Sequence, residues 1–343
     1  MSAVRPIRIG VVGTGGWARG FWSEGITSPD VEIVACCDLD PARAAQFAER
    51  YGGEVLPSYE ALLADPRVEA VANFTPNTRH AATTKLAAAA GKHVFVEKPI
   101  ANTCEEGAEM VRACRQAGVA LMVGHSTRYQ AVHRLVNHYL EEGTLGTLAM
   151  VEANISHGGG ARLGEGEWRW HWEEAPGGPL MQLSIHAYDT LHYHFGPTRR
   201  VTAFSKRDLL PSEIEDVFLT LLEFESGLLA YVGTNYLAPA ISFFHIFGRD
   251  GNLYAERESL THVRPTDPWS AESTQVEIPK GSATAAEMTE FARAIRTGAP
   301  PETDGRAGLL ALGVVWAALQ SVQQNRPIEV REALGPAAAL LDE

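Results

Sequence analysis

An apolar run, Ile7-Arg8-Ile9-Gly10-Val11-Val12, passes without a break into Gly13-Thr14-Gly15-Gly16-Trp17-Ala18. A strand that ends in such a turn, with a helix starting behind it, is the dinucleotide fingerprint G-x-G-x-x-G/A. Gly13 permits the tight turn, Gly15 lets the backbone approach a pyrophosphate, and small Ala18 lets the helix lie close to the strand. The pyrophosphate would rest on the helix amino end, with Thr14, Gly16 and Trp17 beside it. Glycine-rich turns are common, so the context decides. The next strand, Val31 to Cys37, ends in Asp38, at about the distance past the fingerprint where an acid bonds a ribose 2′-hydroxyl. An acid there repels a 2′-phosphate and favours NAD over NADP. Asp38 could instead cap the helix that begins at Pro41, but Asp40-Pro41 is itself a good helix start, which leaves Asp38 for the ribose.

Strands and helices continue to alternate. A helix from Pro41 to Tyr51 and a helical piece from Tyr59 to Leu63 lead to a strand at Val68 to Phe74. That strand ends in Thr75-Pro76-Asn77, and His80 falls one turn into the alanine-rich helix that stops at Gly91. Val94-Phe95-Val96 then reads as a strand buried on both faces, cut off by Glu97-Lys98-Pro99. Ligands of open α/β sheets bind just outside the carboxyl ends of the strands, so Lys98 is placed at the mouth of a crevice. An ordinary strand end with a surface lysine would look the same in isolation. Cys104 to Gly118 is one more helix and Val119 to Val123 one more strand. This spacing predicts a parallel, doubly wound sheet in a first domain, residues 1–125.

From residue 126 to 343 the pattern changes. Gln130 to Glu142 is a helix and Leu148 to Ser156 a strand, followed by a long stretch from His157 to Pro176 that contains Trp168-Arg169-Trp170-His171-Trp172. A loop of that length is usually functional or disordered, and three tryptophans argue against disorder. A helix from Pro179 to Phe195 carries His186, Asp189, His192 and His194. Strands at Asp216 to Glu225, Leu228 to Tyr236, Ser242 to Phe247 and Leu253 to Glu258 are joined by turns too short for parallel pairing. The second domain is therefore α+β, with helices near Ala285 to Arg296 and Gly308 to Gln324 and a short terminal one at Ala337 to Leu341.

With 29 basic and 42 acidic residues the net charge is −13, which makes nucleic acid and anionic membranes poor partners. The cysteines, Cys36, Cys37, Cys104 and Cys114, form no CxxC pair and read as reduced, buried thiols. No HExxH or comparable cluster suggests a metal. No apolar run reaches the ~18 residues of a membrane span, so a cytoplasmic location is expected.

Glu97-Lys98-Pro99 after a dinucleotide-binding half, Thr75-Pro76-Asn77 with His80, Gly177-Gly178-Pro179-Leu180, and His186 with Asp189 together resemble the Gfo/Idh/MocA oxidoreductases. The likeness spans nearly the whole chain. It implies a Rossmann domain, and a C-terminal α+β domain with a large, mostly antiparallel open sheet used for substrate binding and for homodimer or homotetramer assembly. It also implies a nicotinamide cofactor and oxidation of a secondary alcohol on a sugar or cyclitol, or the reverse. Thr75, Pro76, Asn77, His80, Glu97 and Lys98 would lie at the cofactor, and Lys98 also at the reacting hydroxyl. His186 would be the acid/base. The chain departs from the family's pattern at Gln182, where many members have aspartate, and at Ser184, where glycine is usual. Glutamine can orient a hydroxyl but cannot take its proton.

The residues suit that chemistry. A lysine ammonium stabilises a developing alkoxide, and an imidazole with an ordinary pKa near ~6.5 accepts a proton at neutral pH. Asp189, three residues after His186 on the same helix face, is expected to hold or charge-stabilise the ring. A lone helix histidine is more often structural; the glycine pair upstream shifts the reading of His186 to function. His192 and His194 are read as exposed or packed. His125, Arg128 and Tyr129, past the last strand of the first domain, are expected to face the crevice. Trp168, Arg169 and His171 are expected substrate contacts, because aromatic faces suit a sugar ring; anchoring of the loop or a subunit contact explains the tryptophans equally well. The alternatives to a dehydrogenase are an NAD-using glycoside hydrolase and a non-catalytic nucleotide-binding regulator of the same fold.

Overall fold

The computed structural model describes residues 5–25 and 28–342. In chain order the first half runs β1 (Ile7–Val12), α1 (Gly16–Gly25), β2 (Val31–Cys37), α2 (Pro41–Tyr51), β3 (Glu54–Val55), α3 (Tyr59–Ala64), β4 (Ala70–Asn73), α4 (His80–Ala89), β5 (His93–Glu97), α5 (Cys104–Ala117) and β6 (Leu121–Gly124). There follow α6 (Ala131–Glu141), β7 (Leu148–Ser156), α7 (Ile185–Phe195), β8 (Thr198–Lys206), β9 (Val217–Phe224), β10 (Leu229–Asn235) and β11 (Ile241–Gly248). The chain ends with β12 (Asn252–Glu256), β13 (Ser259–Asp267), β14 (Ser270–Val276), α8 (Ala283–Thr297), α9 (Gly305–Gln324), β15 (Ile328–Glu329) and α10 (Val330–Leu334). It divides into two compact units, one of Met1–Ser126 with Gly281–Leu309, the other of Thr127–Lys280 with Leu310–Glu343.

The first unit is built on a parallel sheet of order β3-β2-β1-β4-β5-β6. From β1 the chain winds outward through β2 and β3, then returns to lay β4, β5 and β6 on the other side. The strand order reverses between β1 and β4, and it is outside the carboxyl ends at such a reversal that open α/β sheets bind their ligands. Ile9, Val11, Ala70 to Ala72 and Val94 to Val96 are buried, as both-faced strands require. Phe21, Phe74, Phe95 and Phe291 pack ring against ring beside them, at 5.1 to 6.0 Å.

The second unit carries a sheet of order β14-β13-β12-β11-β7-β10-β9-β8-β15. All pairings are antiparallel except β7 with β10, which is parallel. Along β9 the side chains alternate, Phe218, Thr220, Leu222 and Phe224 buried and Leu219 and Leu221 exposed, so one face makes the core and the other stays open. Strands β3, β8, β13, β14 and β15 lie outside the sequence reading. The helix expected from Pro179 to Phe195 opens instead as a π-helical turn, Leu180–Ser184, before α7. The short terminal helix is a 3-10 turn, Gly335–Leu341. Among the described residues α9 is the one helix long and apolar enough to cross a membrane, and Leu309, Leu312, Val314, Val315, Ala317 and Ala318 on it are fully buried, as in a core helix.

Candidate active site

Gly13 has a φ of +81°, and a Cβ there would lie 2.8 Å from the backbone C and O of Phe74. No side chain fits. A Cβ at Gly15 or Gly16 meets nothing within 4 Å, so past the tight turn the loop offers bare backbone to open space. Ala18 is buried, letting α1 settle on the sheet. Asp38, past the end of β2, turns back to this loop. Its Oδ2 accepts from the Thr14 N–H at 2.7 Å and the Thr14 hydroxyl at 3.1 Å, and its Oδ1 accepts from the Asp40 N–H at 2.9 Å. Asp40 caps α2 through the Ala42 N–H at 2.9 Å, as the sequence suggests. Thr14 is thus committed to aiming Asp38.

At the neighbouring strand ends, Asn73 Oδ1 accepts from the N–H and the hydroxyl of Thr75, at 3.1 and 2.7 Å. Pro76 leads into the 3-10 turn Asn77–Arg79. His80 is buried, with Nδ1 2.8 Å from the Pro99 carbonyl and Nε2 2.9 Å from that of Thr75. Burial lowers its pKa, against the carbonyls, which favour a proton. Both nitrogens face backbone, so His80 ties the turn after β4 to the turn after β5. Glu97 is buried and accepts the Lys98 N–H at 3.1 Å. Half-buried Lys98 holds its Nζ 5.8 Å from the centre of the Trp17 ring, which is 50% exposed. The Nδ2 groups of Asn73 and Asn77 are buried with no protein hydrogen-bond acceptor. Orphaned donors at this rim, an open glycine loop and an aimed acid fit a bound dinucleotide.

In the second unit, His186 lies in the first turn of α7, and its Nδ1 is 3.3 Å from the Thr127 hydroxyl. Asp189, expected to steady this ring, is bonded by Arg128: Nε to Oδ2 at 2.8 Å and Nη2 to Oδ1 at 2.5 Å, with side-chain exposures of 7% and 1%. Arg128, expected at the substrate, is therefore half of a buried ion pair. Gln182 is buried in the π turn and donates its N–H to the Gly178 carbonyl at 3.0 Å. A Cβ on Gly178, at φ +46°, would lie 2.7 Å from the Glu215 carbonyl, which is why the turn needs glycine. His192 bonds Thr198 at 3.0 Å, and His194 lies 3.2 Å from His133. His125, in the first unit, is fully buried.

The tryptophan-rich stretch is held by contacts within itself and to Glu213 and Tyr236. His157 stacks on Tyr236, the Arg169 guanidinium lies 4.2 Å from the Trp168 ring centre, and His171 sits between the Glu165 carbonyl at 2.9 Å and the Glu213 carboxylate at 3.3 Å. Those two partners raise the His171 pKa, the carbonyl more than the carboxylate. Sequence reasoning singled out neither Asn73 nor Thr127; each stands within two residues of one that it did single out. Among the described residues no group of three His, Cys, Asp or Glu could hold a metal.

Residues 7–125 match the family model described as an oxidoreductase family with an NAD-binding Rossmann fold, and residues 133–254 match the GFO/IDH/MocA C-terminal domain. The chain is 29% identical to 1,5-anhydro-D-fructose reductase of Ensifer adhaerens over 333 residues, 95% of this chain and 99% of that protein. It is 28% identical to D-xylose 1-dehydrogenase (NADP(+)) 2 of Haloferax volcanii over 333 residues, 94% and 99% of the two chains. The solved structure of a candidate NADPH-dependent oxidoreductase from Desulfitobacterium hafniense superposes with a TM-score of 0.93 at 31% identity, covering 97% of this chain and all of that one. Glycine loop, sheet order and full-length likeness agree: the chain is an oxidoreductase with an NAD-binding Rossmann domain, and it belongs to the Gfo/Idh/MocA family.

Proposed function

We propose that the chain is an NAD-dependent dehydrogenase, or reductase, of a secondary alcohol or ketone on a sugar, cyclitol or related polyhydroxy compound. The observation that carries this is Lys98, an ammonium at the carboxyl end of β5 held over the ring of Trp17, in the first turn of α1 just past the glycine loop. A hydroxyl presented there meets a hydrogen-bond donor that stabilises the alkoxide as it forms. Bound NAD supplies the hydride acceptor. His186 takes the hydroxyl proton during oxidation and returns it during reduction, while the Gln182 amide orients a hydroxyl without exchanging protons. Trp168, Arg169 and His171 offer aromatic faces and donors suited to a sugar ring. The sugar-acting names of the two sequence relatives support this substrate class.

Asp38 favours NAD, because a carboxylate fixed by Thr14 and Asp40 excludes a 2′-phosphate. The relatives named for NADP(+) and NADPH make this the first point to measure. The open sheet face, with Phe204, Leu219, Leu221 and Leu229 exposed, supports pairing of two copies.

The test is a panel of sugars, sugar acids and inositols, each with NAD and with NADP, following reduced-nicotinamide absorbance. Activity is expected with NAD on one group of compounds. Lys98→Ala and His186→Ala should each keep cofactor affinity while kcat falls about 10²–10⁴-fold. Near-wild-type turnover in either variant ends that assignment.

A further inference from the structure

We infer that Thr127 is a positioning residue that offers the Nδ1–H form of His186 a hydrogen-bond acceptor, and that the Arg128–Asp189 ion pair holds it in place. The inference rests on the acid/base reading of His186 and extends it to residues with no assigned role in proton transfer. To accept a hydroxyl proton through Nε2, the imidazole must carry its own proton on Nδ1. Nδ1 lies 3.3 Å from the Thr127 Oγ1, which can accept that N–H. Once Nε2 has gained the substrate's proton, Nδ1–H donates to the same oxygen as before. The hydroxyl is thus an acceptor in both protonation states, and the ring need not turn between them. A hydroxyl can also donate to Nδ1 of the tautomer protonated on Nε2, whereas an apolar group in its place cannot accept from Nδ1–H and so shifts the balance toward the Nε2–H form, which has no lone pair to offer the substrate.

The Thr127 hydroxyl needs a fixed position to do this. Thr127 belongs to the 3-10 turn Ser126–Tyr129 and is 8% exposed. The next residue, Arg128, bonds Asp189 through both carboxylate oxygens and also reaches the Asp189 carbonyl at 3.2 Å. Asp189 lies three residues beyond His186, less than one helical turn away. The pair therefore fastens the turn carrying the hydroxyl to the same stretch of α7 that carries the imidazole. Its guanidinium is also 5.4 Å from the Tyr193 ring, one turn further along. Arg128 and Asp189 thereby act on the reaction through Thr127, whereas the sequence reading gave them direct roles at the substrate and the imidazole.

The test uses the full chain uniformly labelled at histidine nitrogen. The His186 resonances, assigned by their loss in His186→Gln, report which nitrogen carries the proton. Wild type should show the Nδ1–H form, Thr127→Val a shift toward Nε2–H, and Thr127→Ser a return to the wild-type pattern. On the best polyol of the panel, Thr127→Val should lower kcat about 10–100-fold with KM little changed, and Thr127→Ser should recover most of it. An unchanged tautomer and kcat in Thr127→Val overturns the inference and leaves the acid/base reading intact. If His186→Gln itself retains turnover, it is the acid/base reading that fails.

Discussion

Alanine at Gly13 and alanine at Gly15 should have opposite consequences, although the residues are two apart in one loop. At Gly13 the added methyl would stand 2.8 Å from the backbone C and O of Phe74 and 2.9 Å from the Thr75 nitrogen, atoms that no rotamer change can move, and φ is +81°. The left-handed backbone costs about 1–2 kcal/mol and the overpacking about 1–3 kcal/mol, together about 2–5 kcal/mol. In a unit of this size that lowers the melting temperature by roughly 4–20 °C. At Gly15 the methyl meets no protein atom within 4 Å and φ is not in the left-handed range, so the ligand-free fold should melt at the wild-type temperature or slightly above it. The space it fills is where a pyrophosphate would lie. Losing only two charge-assisted hydrogen bonds at about 1.5 kcal/mol each weakens binding roughly 100-fold. Thermal unfolding without ligand and calorimetric titration with NAD separate the effects. Should Gly15→Ala bind NAD within about threefold of wild type, the phosphates do not rest on this loop, and a wild-type melting temperature in Gly13→Ala would mean that the contact with Phe74 is not made.

Arg128→Met leaves the Asp189 carboxylate buried without its guanidinium and should cost about 3–5 kcal/mol in denaturant unfolding, much of it regained in Arg128→Met with Asp189→Leu; a loss below about 1 kcal/mol would show the pair to be solvated. His133 is buried against Phe244, and burial pushes its pKa down to about 3. The unfolded chain therefore binds a proton there that the folded chain refuses, so stability should fall as pH drops from about 6.5 toward 3, and His133→Leu should flatten that slope in pH-dependent unfolding. Phe204 and Leu219 stand directly opposite each other on the open sheet face, and Phe204→Glu with Leu219→Glu should convert any dimer to monomer in light scattering while leaving NAD affinity unchanged.

What could be read from the sequence was what neighbouring residues encode. The glycine loop, the Asp40 cap and the limits of β7 at Leu148 and Ser156 follow from patterns a few residues long. β14 escaped because its signal is absent: from Ser270 to Gln275 every residue is exposed, with no alternation to betray a strand. The π turn at Leu180–Ser184 differs from an α-helix by one residue in the reach of its hydrogen bonds, below what apolar spacing resolves. Helix α8 is legible as a helix, but its membership of the first unit is a long-range contact that no local pattern encodes. The candidate site divides the same way. Lys98 and His186 stand out by the motifs around them. The partner of Asp189 lies 61 residues away, and Thr127 matters only because the fold brings it to an imidazole 59 residues on.

The place of β7 bears on how the second unit assembles. Strands β8 to β10 and β11 to β14 are two runs of short-range hairpins, each able to form soon after it is made. Neither run pairs with the other, since β10 and β11 both bond to β7, which precedes them in the chain. During synthesis β7 leaves the ribosome before either of its neighbours exists, and its two backbone edges stay unpaired until both runs arrive. The slow step is then the capture of one early strand between two late ones, and an added peptide of sequence 148–156 would compete for that slot during refolding and not afterwards.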